Sequence, residues 1–267
     1  MGKILTVNNL GIVLIVGLSS FLCYSLLNKK TWEDLFSEHA YINSSDTLLY
    51  RYYAPDYNEG QKIPLLIYLH GAAENGNNNK KQLTGGLVYF MRDSIKANYP
   101  CAIFAPQCPK STNWVDTDIK SLQNTVTPRP AKPMEMVFTI IDSLKKLEYI
   151  DSNRIYITGI SYGGFGTWDA ITRRPGLFAA AVPLCGGGDT SKASSISRVN
   201  VWAFHGDRDD VVAPAQTGNM VTAIKSNGGN PKMSILPNTG HYICDKAYTE
   251  PGFMKWLFSQ TNKAKGN

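Results

Sequence analysis

From Pro64 onward the chain alternates short apolar runs with amphipathic segments. Pro64-Leu-Leu-Ile-Tyr-Leu69, Cys101–Ala105, Arg154–Gly159, Ala179–Leu184, Val201–Phe204 and Met233–Leu236 are each of strand length. Between them lie segments of helical character at 83–97, Glu135–Leu147, Ser161–Arg173, 215–227 and Glu250–Ser259. The segment from Glu135 carries apolar residues at 136, 137, 140, 141, 144 and 147, which is a helical stripe. Strands that read as continuous apolar runs, each followed by a helix, predict an α/β fold. The sheet is mostly parallel and covered by helices on both faces. A further aromatic-rich strand is predicted at Thr47–Tyr53. Residues 106–133 break the rhythm, and long irregular segments inside compact domains are usually functional or disordered.

The 267 residues are 43% hydrophobic and 18% charged, which excludes a mostly disordered chain. No linker-like break divides the chain after residue 30, so one domain is expected over 31–267. The net charge of +6 falls to +3 without Lys3, Lys29 and Lys30. The remaining basic residues are interspersed with acids, which argues against a nucleic-acid partner.

Residues 1–30 read as a hydrophobic leader. The uncharged run 4–28 approaches the ~20 residues that span a bilayer. A signal anchor and a cleaved signal peptide compete here. The basic pair Lys29-Lys30 and the lack of an A-x-A site favour the anchor. A lipoprotein signal at Cys23 is disfavoured by the bulky Leu22. The expectation is an exported chain, membrane-anchored through residues 4–28 or secreted/periplasmic.

The five cysteines, at 23, 101, 108, 185 and 244, form no C-x-x-C pair. Cys101 and Cys108 flank a strand of about 23 Å. A disulfide needs Cα atoms within about 7 Å, so these two are not expected to pair. No metal-ligand spacing or phosphate-binding glycine pattern is present, and no metal or nucleotide cofactor is expected.

Gly159-Ile160-Ser161-Tyr162-Gly163 fits G-x-S-x-G, directly after a strand and opening a helix. That sharp turn exposes a serine Oγ at the carboxyl edge of a sheet, so Ser161 is the candidate nucleophile. A serine nucleophile needs a base, and the base needs an orienting acid. Of four histidines, His39 precedes the sheet, and His70 and His205 precede glycines at strand ends, where turn roles suffice. His241 follows the last strand and is the candidate base. The acid lies in His205-Gly206-Asp207-Arg208-Asp209-Asp210, with Asp209 favoured over Asp207 and Asp210. Backbone N–H groups of Tyr162 and, to within one residue, Ala72 are the candidate oxyanion donors. Trp114 in the long loop is a candidate substrate-binding residue.

These residues resemble the α/β-hydrolase superfamily, and within it the bacterial predicted esterases and peptidases of the phospholipase–carboxylesterase and polyhydroxybutyrate-depolymerase-like group. The resemblance spans roughly 62–260. It rests on His70-Gly71-Ala72 with Glu74 and Gly76, on Ala105-Pro106-Gln107-Cys108, on Arg154–Gly159 with Ser161 and Gly163-Gly164, on Cys185-Gly186-Gly187-Gly188-Asp189, on Val201–Gly206, and on Gly240-His241. It implies a single-domain α/β-hydrolase fold and a Ser161/Asp209/His241 triad without cofactor. The implied reaction is hydrolysis of a small-molecule or polymer-derived carboxylic ester through an acyl-enzyme. A serine peptidase of the same fold, or a non-catalytic surface-anchored binding protein, are the alternatives. Three departures from the group stand out: Tyr162 where methionine is common, Ala73 for a frequent glycine, and Cys244 for a usual tryptophan.

Overall fold

The computed structural model describes residues 31–43 and 46–262. Two compact units divide at Leu35 and Phe36. In the first, the described residues form one 3-10 turn, Trp32–Leu35, whose entry is closed by the Thr31 N–H donating to the Asp34 carboxylate at 2.7 Å.

The second unit is built on an eight-stranded sheet: β1 Ser37–Ile42, β2 Thr47–Tyr53, β3 Ile63–Leu69, β4 Ala102–Gln107, β5 Ile150–Ile160, β6 Ala180–Leu184, β7 Asn200–Gly206 and β8 Lys232–Leu236. The spatial order is β1-β2-β4-β3-β5-β6-β7-β8. β1 pairs antiparallel with β2, and β2 with β4; every later pairing is parallel. This is a single-domain α/β fold with a mixed, mostly parallel sheet flanked by helices, as expected. β3, β4 and β6 are buried at every residue, because an apolar run without alternation is stable only where both faces are covered.

Among the described residues the helices are α1 Asp93–Asn98, α2 Lys132–Leu144, α3 Tyr162–Arg173, α4 Pro214–Ser226, α5 Cys244–Tyr248 and α6 Phe253–Ser259. The stripe read in the sequence is the buried face of α2, with Met136, Val137, Ile140 and Ile141 inside. Proline in the first turn starts both α2 and α4, where its missing N–H costs nothing.

Two expectations need adjustment. The helix expected over 83–97 is instead two 3-10 turns, Lys81–Leu83 and Gly85–Tyr89, followed by the short α1. Gly85 at φ 77 breaks the regular helix there. β1 was not anticipated: it lies at the sheet edge with an exposed, polar sequence that carries no apolar run.

The expected localisation is also corrected. Among the described residues no helix is long and apolar enough to cross a membrane. The longest, α2 and α4, have 13 residues each, about 20 Å of rise against the ~30 Å of a bilayer core. The membrane-anchored reading therefore finds no support in any described helix, and the run 4–28 on which it stood lies outside the described residues.

Candidate active site

Four loops that leave the carboxyl ends of parallel strands converge on one cleft, the usual place for a site in an open α/β sheet. The first joins β5 to α3. Ser161 stands alone between them at φ 58, ψ −123, a backbone region that side chains avoid. The turn is held by the Ser161 N–H donating to Leu184 O at 3.0 Å and by the Phe165 N–H donating to Ser161 O at 2.9 Å. Its tightness depends on glycine. A Cβ added at Gly159 or at Gly163 would overlap the backbone oxygen of Leu69, so α3 lies directly against the end of β3. Tyr162 is the first residue of α3, and its N–H has no acceptor within the helix.

The second loop follows β3 and contains the 3-10 turn Ala72–Glu74. His70 anchors it. Its Nε2 accepts the Cys108 N–H at 2.9 Å, which leaves Nδ1–H to donate to Gly71 O at 2.7 Å. Burial lowers the His70 pKa to about 4, so the ring is neutral near pH 7. Gln107 adds a second tie, donating to Glu74 O at 3.1 Å. The Glu74 carboxyl faces the cleft and is raised by burial, against the backbone N–H groups that stabilise its charge.

The third loop leaves β7 and carries Asp209, which is buried. Its Oδ1 accepts the N–H groups of Val211 and Val212, both at 2.9 Å. Its Oδ2 lies 2.8 Å from His241 Nδ1 and 3.1 Å from His205 Nε2. Burial alone would raise this carboxyl, but hydrogen bonds from His205, His241 and Val212 outweigh it and hold the group far below the usual range. A carboxylate only accepts, so His241 carries a proton on Nδ1 and donates it to Oδ2. Asp207 and Asp210 are exposed. Asp207 accepts the Thr239 N–H at 3.0 Å and so braces the fourth loop, which brings His241 from β8.

The cleft has a volume of about 590 Å³ and is lined by Ala72, Ser161, Tyr162 and His241, together with Tyr68, Glu74 and Tyr242 among others. Asp209 stands behind His241. Of the residues singled out in the sequence, Trp114 is not brought to the cleft. It is fully buried, and its indole N–H donates to His70 O at 2.9 Å. Its role in this structure is to pack the long loop against the end of β3. That loop reaches the cleft through Ile119 instead. His70 and His205, each beside a glycine at a strand end, look like ordinary turn chemistry in the sequence, and Gln107 carries no local signal.

Cys185, His205 and Asp209 bring three potential ligand atoms within 4.8 Å of one another. Those atoms are already engaged. Asp209 holds two imidazoles, His205 Nε2 faces Val212 O at 2.9 Å, and the Cys185 thiol donates to His241 O at 3.4 Å. Burial and then the nearby Asp209 charge push the Cys185 thiol up, which keeps it protonated and a poor ligand.

A serine on a strand-to-helix turn, lining one cleft with a histidine at the carboxyl edge of a mostly parallel sheet, is an arrangement of the α/β-hydrolase class. The chain belongs to that superfamily as an esterase/peptidase-like member. A model of the prolyl oligopeptidase family matches residues 131–203. Over 161 residues the chain is 30% identical to the bifunctional acetylxylan esterase/xylanase XynS20E of Neocallimastix patriciarum, covering 60% of this chain and 21% of that one. Over 182 residues it is 31% identical to poly(3-hydroxyalkanoate) depolymerase C of Paucimonas lemoignei, covering 67% of this chain and 41% of that one. The chain thus spans less than half the length of either relative. Among solved structures, a thermostable esterase superposes with a TM-score of 0.78 at 34% identity, over 86% of this chain and 64% of that one. A ferulic acid esterase shares the fold with a TM-score of 0.62 at 16% identity, over 83% of this chain and 98% of that one.

Proposed function

We propose that the chain is a serine hydrolase of carboxylic esters, with Ser161 as nucleophile, His241 as general base and Asp209 as the acid that orients it. The observation that carries this reading is the 2.8 Å hydrogen bond between His241 Nδ1 and Asp209 Oδ2, behind a cleft that Ser161 and His241 both line. Ser161 Oγ attacks the ester carbonyl as His241 Nε2 takes its proton. The buried Asp209 carboxylate stabilises the imidazolium that forms. The N–H groups of Tyr162 and Ala72 receive the oxyanion, each such donor contributing about 3 kcal/mol in the transition state. His241 then gives the proton to the departing alcohol, and water, activated by the same base, releases the acid from Ser161.

Ester substrates are favoured because the acetylxylan esterase/xylanase and the thermostable esterase named above are esterases by description, and a poly(3-hydroxyalkanoate) depolymerase stands beside them. The substrate is then a small-molecule or polymer-derived ester. The match to the prolyl oligopeptidase family favours a second reading, a serine peptidase using the same residues.

The test uses the full chain, wild type and Ser161→Ala, on p-nitrophenyl esters of two to twelve carbons and on aminoacyl p-nitroanilides. Ester turnover by the wild type, lost by about 10⁶ in Ser161→Ala, is expected. Turnover of anilides alone would replace the esterase reading with the peptidase one. Equal rates for the two proteins would remove Ser161 from the mechanism.

A further inference from the structure

A second imidazole shares the carboxylate oxygen that holds His241. His205, near the end of β7, is fully buried. Its Nε2 lies 3.1 Å from Asp209 Oδ2 and 2.9 Å from Val212 O. Both of those atoms only accept, so the proton resides on Nε2. On the other side of the ring, Nδ1 is 2.7 Å from Thr217 Oγ1 on α4, a hydroxyl whose single hydrogen is shared between Nδ1 and Gly186 O, also at 2.7 Å. The ring is therefore clamped between α4 and the loop 209–212, with no freedom to turn away from Oδ2.

We infer that His205 is a positioning residue that sets the basicity of His241 through their shared partner, Asp209 Oδ2. The inference rests on the triad reading above. A histidine needed only for packing would be satisfied by Thr217 and Val212. The contact with Oδ2 adds a donor to the oxygen whose charge stabilises the His241 imidazolium. A carboxylate oxygen that accepts two N–H groups has its charge drawn toward both, so each partner feels less of it. Oδ1 cannot compensate, because the amides of Val211 and Val212 occupy it. The titratable groups facing this carboxylate are His205 from β7, His241 from the loop after β8 and the Cys185 thiol from the loop after β6. The charged neighbours in sequence, Asp207, Arg208 and Asp210, are exposed.

Removing the His205 N–H leaves more charge for His241, which then keeps its proton to higher pH. The acid limb of the kcat/KM profile consequently moves upward. The test compares full-length wild type, His205→Leu and His205→Gln on a p-nitrophenyl ester across the pH range. His205→Leu is expected to move the limb upward by about half a pH unit or more. It is also expected to lower kcat by about tenfold with little change in KM. His205→Gln, which retains an N–H donor, is expected to return the limb toward wild type. A limb that stays put in His205→Leu overturns the inference, since a merely structural role lowers the folded fraction without moving the limb.

Should His205→Leu fail to fold, nitrogen-15 NMR of the histidine rings in wild type decides. The His205 ring signals are expected to shift in step with the titration of His241, and signals that ignore it overturn the inference. The NMR readout is independent of turnover. Failure of the triad reading, seen as a Ser161→Ala variant as active as wild type, is therefore distinguishable from failure of this coupling.

Discussion

Asp209 and His241 lie 32 positions apart in sequence and 2.8 Å apart in space, joined through Oδ2 and Nδ1. The neighbouring Asp207, two residues from Asp209, plays another part. Its carboxylate accepts the Thr239 N–H and steadies the loop that delivers His241. Asp209→Asn is therefore expected to lower kcat by about 10⁴, the cost of neutralising the acid of such a pair in serine proteases. Asp207→Asn keeps an acceptor oxygen and is expected to stay within about fivefold of wild type. Steady-state kinetics on one p-nitrophenyl ester separates them, and the reverse order would move the acid to Asp207.

Ser161 holds φ at 58 and ψ at −123, a conformation that costs a non-glycine residue about 1–3 kcal/mol. Glycine escapes that cost but gains about 1 kcal/mol of unfolded-state entropy to lose on folding. Ser161→Gly is thus expected to be more stable than Ser161→Ala by about 1 kcal/mol, although both lack the hydroxyl. Urea midpoints of the two variants measure the difference. A Ser161→Gly midpoint below that of Ser161→Ala would mean that the turn carries no strain.

Replacing glycine by alanine inside an exposed helix normally stabilises by about 1 kcal/mol. At Gly163 the sign is expected to reverse, because the new Cβ would overlap Leu69 O and His70 O, which are backbone atoms. Gly163→Ala is expected to lose about 3 kcal/mol or more and to misalign Ser161. Gly176→Ala, where nothing stands within 4 Å of the new atom, is the control and is expected to stay within about 0.5 kcal/mol. Chemical denaturation of both variants checks the contrast.

His70 is buried and neutral, with its pKa lowered to about 4 from 6.5. In the window between those values the unfolded chain binds a proton that the folded chain does not. Stability therefore rises with pH there and is lost as pH falls through it, by roughly 3 kcal/mol in total. Asp142 acts lower, since Arg174 holds its pKa down to about 2 against its own desolvation. The urea midpoint is expected to fall between pH 7 and pH 4.5, and His70→Gln is expected to flatten that slope. A wild-type midpoint independent of pH in this window would refute the role given to His70.

Much of this architecture is legible along the chain, and the limits are instructive. β3, β4 and β6 stand out because strands buried on both faces must be apolar throughout. β1 does not, because an exposed edge strand needs no such run, and Ser37–Ile42 looks like any polar segment. The serine turn is visible because its two glycines and its place between strand and helix are local demands. Trp114, by contrast, has the composition of a cleft residue, yet it is buried under the loop that carries it. His205 and His70 each look like part of a glycine turn; His205 meets Asp209 only four residues on, whereas nothing nearby in sequence shows that His70 meets Cys108.

Strand–helix alternation, the sharp turn at Ser161 and the short set of groups able to act with it can all be read from the order of residues alone. These depend on periodicity and on steric demands within a few residues. Folding in three dimensions is what selects Asp209 rather than Asp207 to meet His241 and sorts which side chains reach the cleft. Those contacts arise between loops brought together by the order of β3, β5, β7 and β8 in the sheet. Hydrogen bonds a few ångströms long, formed across tens of residues, depend on packing that no local pattern encodes.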